Sequence, residues 1–199
     1  AERALRDALA LDANASAAHN YLGVVLSRGG DHGGARAAFE RAIAVESRVR
    51  HVTDADKRAA VRVLSNAHTN LGHLLDDCGE HAAAIEQLQL ALDYDADNPN
   101  VLSLLAGALV ATGELDDGVR HYERALAYSA DANDAATLYN IAAAYANAQR
   151  IDDAWLWCTR LRHHHGDAHA PGARMHDMLA PYAERGGYAA WQPPAAEQH

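Results

Sequence analysis

The sequence lacks the features that mark several large classes of protein. No apolar run approaches the roughly 18 residues that a membrane-spanning helix requires. The segment 1–11 carries four charged residues, so it is unlike a secretory signal peptide. The two cysteines, Cys78 and Cys158, form no Cys-x-x-Cys pair, and they neither require nor exclude a disulfide.

Positive charge is also scarce. The chain has 17 Lys and Arg residues against 27 Asp and Glu residues, which gives a formal net charge of -10. A nucleic-acid-binding protein needs a basic face, and an anionic membrane surface repels an acidic protein. We therefore expect neither nucleic acid nor membrane as a partner. Only one of the basic residues, Lys57, is a lysine, which is typical of a GC-rich bacterial genome.

Catalytic motifs are missing as well. No Ser-His-Asp order, Cys–His pairing, Walker loop or dinucleotide-binding glycine pattern occurs in a supporting context. Adjacent acidic residues occur at 76–77, 116–117 and 152–153. The last two pairs fall where a helix is predicted to begin, and carboxylates there complement the helix dipole. We expect that the chain is not an enzyme and that it has no cofactor.

The sequence does contain helix-forming residues in a repeating pattern. Alanine is abundant, whereas Val, Ile and Thr are scarce, and this composition favours helix over strand. A small residue is followed four positions later by a large one, and three positions after that by alanine. The three clearest copies are Ala35/Phe39/Ala42, Ala84/Leu88/Ala91 and Gly118/Tyr122/Ala125. Another small residue lies twelve positions before each unit's first small residue, at Gly23, Gly72, Ala106 and Ala142.

The spacing of these small residues defines the repeat. It is 34 residues from Gly72 to Ala106, 36 from Ala106 to Ala142, and 49 from Gly23 to Gly72. The longest interval corresponds to one repeat with a 15-residue insertion at 50–64. Small residues let two helices approach closely while the large residue fills the adjoining space. One such pair cannot bury its apolar stripe alone, so neighbouring pairs must stack.

This pattern resembles the tetratricopeptide repeat (TPR), a helix-turn-helix unit of about 34 residues. The resemblance covers residues 1–166 and departs from the family at its tryptophan position and at most of its terminal prolines. It implies an all-α, right-handed superhelical solenoid of antiparallel helix pairs with a C-terminal capping helix. We assign a half unit to 1–15, full units to about 16–49, 65–98, 99–132 and 135–166, and a cap and tail to 167–199.

The helices themselves are predicted from the same pattern. First helices are expected at 16–29, 51–78, 99–112 and 134–148, and second helices at 33–46, 81–94, 115–129 and 151–164. The insertion should extend the first helix of its unit backwards by two or three turns, since apolar residues continue one stripe through it. A loop is expected at 163–172. The cap is predicted at 173–184, with Met175, Met178, Leu179 and Tyr182 on one stripe, and Trp191 follows in the tail.

The resemblance also indicates where a partner would bind. In TPR arrays the first helices line an inner groove, and its candidate residues here are Tyr21, Asn66, Asn70, His73, Asn100 and Asn140. An asparagine side chain both donates and accepts, so it can pair with a peptide backbone. Asn70 and Asn140 resemble the asparagine ladder of the O-GlcNAc transferase TPR superhelix. The basic residues of the chaperone-type carboxylate clamp are absent, so a neutral or basic peptide is expected rather than an acidic tail.

Three functional hypotheses follow. The first is a protein–protein interaction scaffold that binds a partner peptide in the concave groove. The second, suggested by the truncated first repeat, is the regulatory or substrate-holding part of a larger enzyme such as a glycosyltransferase. The third is a metal-responsive module through the cluster 163–169, with His163, His165 and His169 as weak candidate ligands. Association of copies through the exposed array ends is a further hypothesis, and a cytoplasmic location is favoured over a periplasmic one.

Overall fold

The computed structural model describes residues 1–49, 53–190 and 192, and in these ranges the chain is helical and contains no strand. The ten α-helices are α1 (Glu2–Leu11), α2 (Ser16–Arg28), α3 (His32–Glu46), α4 (Asp54–Asp77), α5 (His81–Tyr94), α6 (Pro99–Ala111), α7 (Leu115–Tyr128), α8 (Ala135–Asn147), α9 (Ile151–His165) and α10 (Ala170–Gly186). A short 3-10 turn, Gly166–Ala168, joins the last two. Among the described helices, none combines the length and the apolar character that crossing a bilayer requires.

The helices form successive pairs that stack into a solenoid. The pairs α2/α3, α4/α5, α6/α7 and α8/α9 make the most extensive contacts, and each pair also packs on the next. Along the array α2 contacts α4, α4 contacts α6 and α6 contacts α8, whereas successive second helices are not in comparable contact within the described chain. The row of first helices is therefore the tighter, inner row. The all-α solenoid is confirmed, and the predicted bounds of the first and second helices of the units agree to within one residue apart from the start of α4.

Close approach between the two helices of a unit holds each pair together. A Cβ atom added at Gly23 would lie 2.5 Å from Cε1 of Phe39, and one added at Gly72 would lie 2.7 Å from Cγ of Leu88. Both large residues are buried completely or nearly so. The small residue of the first helix thus creates the space that the large residue of the second helix fills. Buried side chains continue this packing from α2 to α10 in two core clusters that meet at α6.

The insertion lengthens α4 as predicted. The helix starts at Asp54, which is about three turns before the repeat position at 65. Its N-terminus carries a capping box, because Thr53 accepts a hydrogen bond from the Asp56 backbone N–H and the Asp56 carboxylate accepts one from the Thr53 backbone N–H. Ala60 and Leu64 are buried, so this part of the extension packs on the array, whereas residues 53–59 are exposed. The first three insertion residues, 50–52, lie outside the described residues.

The C-terminal helix differs from its prediction in two respects. It begins at Ala170 rather than 173, so the connection from α9 is shorter than the predicted loop. Its buried stripe includes Met175, Leu179 and Ala183, whereas Met178 and Tyr182 are 62% and 54% exposed. The predicted stripe is therefore only partly buried. Residues 178 and 182 each precede a buried residue and are turned about 100° away from it around the helix. Trp191 lies outside the described residues.

Candidate functional site

All six candidate groove residues lie on the inner row of helices. Five are exposed, of which Tyr21 on α2 is 63% exposed. The sixth, Asn70 on α4, is half-buried. The first helices therefore carry a polar, largely uncharged set of candidate side chains: Tyr21, Asn66, Asn70, His73, Asn100 and Asn140.

Two of these asparagines line one pocket. Asn100 of α6 and Asn140 of α8 face a cavity of about 300 Å³, which also has Ser103, Asp134 and Thr137 in its wall. The Asp134 carboxylate caps α8, since it accepts hydrogen bonds of 2.8 Å from both the backbone N–H and the hydroxyl of Thr137. The Asp134 carboxylate is thus already hydrogen-bonded to the first turn of its own helix. We call this cavity the α6–α8 pocket.

A smaller pocket lies one repeat earlier. Asn66 of α4, which is equivalent to Asn100, lines a cavity of about 190 Å³ together with Tyr94, Asp95 and Asn98. Tyr94 stacks on the buried His68, with 5.9 Å between ring centroids. The helical extension contributes Val61 and Arg62 to the same wall, so the insertion adds a positive charge beside Asn66 that the repeat positions do not contain. We call this cavity the α4–α6 pocket.

Asn70 has a structural contact that the sequence did not reveal. Its side-chain amide donates a hydrogen bond of 3.0 Å to the side-chain oxygen of Asn20 on α2, and Asn20 is 8% exposed. This bond joins the first helices of two successive units. Asn70 therefore differs from the exposed asparagines at 66, 100 and 140, because its donor already has a partner. His73 lies 3.5 Å from Asp77 on the same helix, within ion-pair range when the imidazole is protonated.

Most of the adjacent acidic residues form ion pairs at helix ends. The pairs at 116–117 and 152–153 occupy the first turns of α7 and α9, as predicted. Arg150 bridges two of these acids, since its guanidinium lies 2.7 Å from Asp116 and from Asp153. Asp76, at the end of α4, lies 2.7 Å from Nδ1 of His81 across the turn. These contacts stabilise helix ends and connect neighbouring units.

The histidine cluster is dispersed over separate contacts. His165 hydrogen-bonds the backbone carbonyl of Asn133 through Nε2, and Nδ1 of His169 accepts from the backbone N–H of Gly172 at 3.1 Å. His163 meets His164 edge to face, with ring centroids 4.9 Å apart. Across the described residues, no three His, Cys, Asp or Glu side chains are grouped so that they could hold a metal ion. The geometry gives the metal hypothesis no assembled site.

Comparisons with known protein families agree with the helix pairing. Profiles of the tetratricopeptide repeat match residues 1–48, 65–98 and 99–124. Together these matches span more than half of the chain. The gap between the first two contains the 50–64 insertion, which explains why the repeat match is interrupted there. No curated protein is significantly similar in sequence.

Solved structures with the same fold are distant in sequence. YrrB, described as a TPR protein with an unusual peptide-binding site, superposes with a TM-score of 0.68 at 17% identity, over 92% of this chain and 86% of YrrB. MamA gives a TM-score of 0.60 at 16% identity, over 94% of this chain and 90% of MamA. MamA from Desulfovibrio magneticus RS-1 gives 0.61 at 14% identity, over 94% and 86%. At these identities the similarity establishes the fold.

Proposed function

The chain belongs to the tetratricopeptide repeat family, and on that premise we propose that it is a protein-interaction scaffold whose inner groove binds an extended segment of a partner protein. The observation that carries the proposal is the set of exposed asparagines on successive first helices, Asn66, Asn100 and Asn140. The fold supplies the concave row, and these side chains supply the polar groups that a peptide backbone needs.

The three exposed amides are available for a ligand. In the described part of the chain, none of their side chains has a hydrogen-bond partner, in contrast to Asn70. Each amide offers two donors and an acceptor, so it can pair with the N–H and C=O groups of an extended peptide irrespective of its side chains. Asn100 and Asn140 share the α6–α8 pocket, which makes this pocket the best-defined part of the groove.

Charge favours a neutral or basic partner. The chain carries a formal net charge of -10, and none of the six groove residues is a lysine or arginine. Arg62, which lines the α4–α6 pocket, has Asp95 in the same wall. A basic segment would be attracted towards this surface over a distance, and that attraction would be screened by salt. An acidic tail would meet no cluster of cations.

The proposal can be tested with peptides selected on the protein itself. A displayed library of random peptides is panned against the chain, and an enriched peptide is measured by calorimetry against the double variant Asn100→Ala/Asn140→Ala. Removing two backbone-pairing amides should weaken binding roughly tenfold, since each hydrogen bond contributes about 0.5–1.5 kcal/mol. Because both residues are exposed, the melting temperature should hardly change.

Asn147→Ala provides a matched control. Asn147 is an exposed asparagine at the C-terminal end of α8, outside both groove pockets. Its removal should leave the affinity unchanged. Equal affinity of the double variant and the unmodified chain for every enriched peptide would refute the groove assignment. A requirement for an acidic peptide would refute the predicted partner chemistry.

A further inference from the structure

A larger cavity lies on the opposite side of the array, between the second helices α5 and α7. It has a volume of about 620 Å³, compared with about 300 Å³ for the α6–α8 pocket. Three leucines and three titratable residues lie in its wall: Glu86, Leu90, Leu92, Asp93, Leu105 and His121. We call it the outer pocket, because α5 and α7 belong to the outer row of helices.

The next repeat shows what an equivalent site accommodates. Trp157 of α9 lies three residues after Ala154, as His121 of α7 lies three residues after Gly118. The cavity between α7 and α9, which Trp157 lines, has a volume of only about 320 Å³. The guanidinium of Arg160 lies 5.3 Å from the centroid of the Trp157 ring. At the position of Trp157 the fold therefore accommodates an indole with a guanidinium beside it. The equivalent residue of the outer pocket, His121, has a smaller side chain.

The acidic residues around the outer pocket would complement a cation next to a bound indole. Glu86 and Asp93 are both exposed on α5, seven residues apart and hence about 10 Å apart along one helix face. Neither carboxylate has an ion-pair partner within the described ranges, and Leu90 between them is 41% exposed. The nearby arginines are already engaged, since Arg120 pairs with Asp117 and Arg124 binds the carbonyl of Ala96.

The outer pocket is also lined by two uncharged polar residues, Gln89 of α5 and His121 of α7, and His121 is the more buried of them. Its Nδ1 is buried without a hydrogen-bond partner among the described residues. Burial lowers the pKa of His121, and the charges of Arg124 and Arg120 lower it further. The imidazole is therefore neutral near pH 7, and a neutral ring has one acceptor nitrogen. Such a ring can stack on an aromatic group or accept from an indole N–H.

We propose that the outer pocket binds a tryptophan side chain of a partner protein, in a segment where lysine or arginine flanks the tryptophan. The indole would pack on the leucines beside His121, as Trp157 does within this chain, and the flanking cations would pair with Glu86 and Asp93. This site is separate from the groove and does not depend on the groove function. It would give the scaffold two faces for different segments.

The probe is the short peptide acetyl-Lys-Trp-Lys-amide carrying a fluorinated tryptophan, followed by fluorine NMR so that the chain's own tryptophans do not interfere. We expect a saturable shift, and roughly tenfold weaker binding of the matched Glu-Trp-Glu peptide because its acids face Glu86 and Asp93. The variant His121→Trp should plug the pocket from within and reduce binding roughly tenfold or more, as when an anchoring contact is lost.

A second variant keeps the test decisive should His121→Trp fail to fold. Glu86→Gln/Asp93→Asn changes two exposed side chains, should fold normally, and should reduce both the affinity for the Lys peptide and its dependence on salt. The groove variant Asn100→Ala/Asn140→Ala serves as the control and should bind the peptide normally. Equal binding of the two peptides, undiminished binding to folded His121→Trp, or loss of binding in the groove variant would each overturn the proposal.

Discussion

Replacing Gly72 with alanine tests the close packing that holds each helix pair together. A Cβ atom at position 72 would lie 2.7 Å from Cγ of Leu88, 3.0 Å from its Cδ2 and 3.3 Å from the carbonyl oxygen of Ala84. Leu88 is fully buried, so its side chain has no open space into which it could turn. The added methyl group must therefore push the two helices apart or distort the leucine.

The expected magnitude follows from two opposing effects. Overpacking of this kind costs about 1–3 kcal/mol, while alanine in place of glycine stabilises a helix by about 1 kcal/mol. Because the 2.7 Å contact is with a fully buried side chain, the overpacking cost should lie in the upper part of its range, at about 2–3 kcal/mol. After the gain from helix propensity, we expect the free energy of unfolding to fall by about 1–2 kcal/mol. For a chain of this size, that corresponds to a decrease in Tm of about 2–8 °C in a calorimetric scan.

The chain offers a matched control on the next first helix. A Cβ atom at Gly107 would meet only the hydroxyl oxygen of Tyr122, at 3.4 Å, which is an ordinary contact. Gly107→Ala should therefore gain up to about 1 kcal/mol from helix propensity alone. In a Leu88→Ala background the two closest contacts are gone and only the Ala84 carbonyl oxygen at 3.3 Å remains, so most of the cost of the further change Gly72→Ala should disappear. Unchanged stability of the single Gly72→Ala variant, or a cost that persists undiminished in that background, would refute the packing argument.

Two further predictions concern the cap and the helical extension. Burial and Arg162 lower the pKa of His176 from its ordinary 6.5, so the neutral imidazole stabilises the folded chain above about pH 6.5, and this contribution is lost as the pH falls through the lowered value. Chemical denaturation at about pH 7 and about pH 5 should show the loss, and His176→Gln should reduce it; an unchanged pH dependence would contradict the assignment. Thr53→Ala removes the capping box of α4 at a cost of about 0.5–2 kcal/mol. Because residues 53–59 are exposed, faster hydrogen exchange should be confined to those first turns, and global destabilisation would count against the prediction.

The repeat could be predicted from the sequence because its period is set by packing within a unit. The small and large residues at 23/39 and 72/88 recur on facing helices, and they do contact one another. The extension of α4 could be predicted for the same reason, since its apolar residues continue one stripe. These features depend on neighbours at fixed separations along the chain.

Contacts between units could not be predicted from the repeat pattern. Asn70 bonds Asn20 across 50 residues, and no sequence period identifies that partner. The exposure of Met178 and Tyr182 depends on the rotation of α10 against α9, which a short apolar stripe leaves undetermined. The outer pocket arises from a difference between equivalent positions, His121 against Trp157. From the sequence alone, this difference does not indicate a pocket, because the volume around the two side chains is known only from the structure.

Hydrogen–deuterium exchange of the chain with and without a groove-selected peptide tests the docking assignment most directly. Binding along the inner row should slow exchange in α4, α6 and α8, most strongly near Asn100 and Asn140, and leave α5 and α7 unaffected. Protection confined to the outer helices, with none on the inner row, would contradict the account.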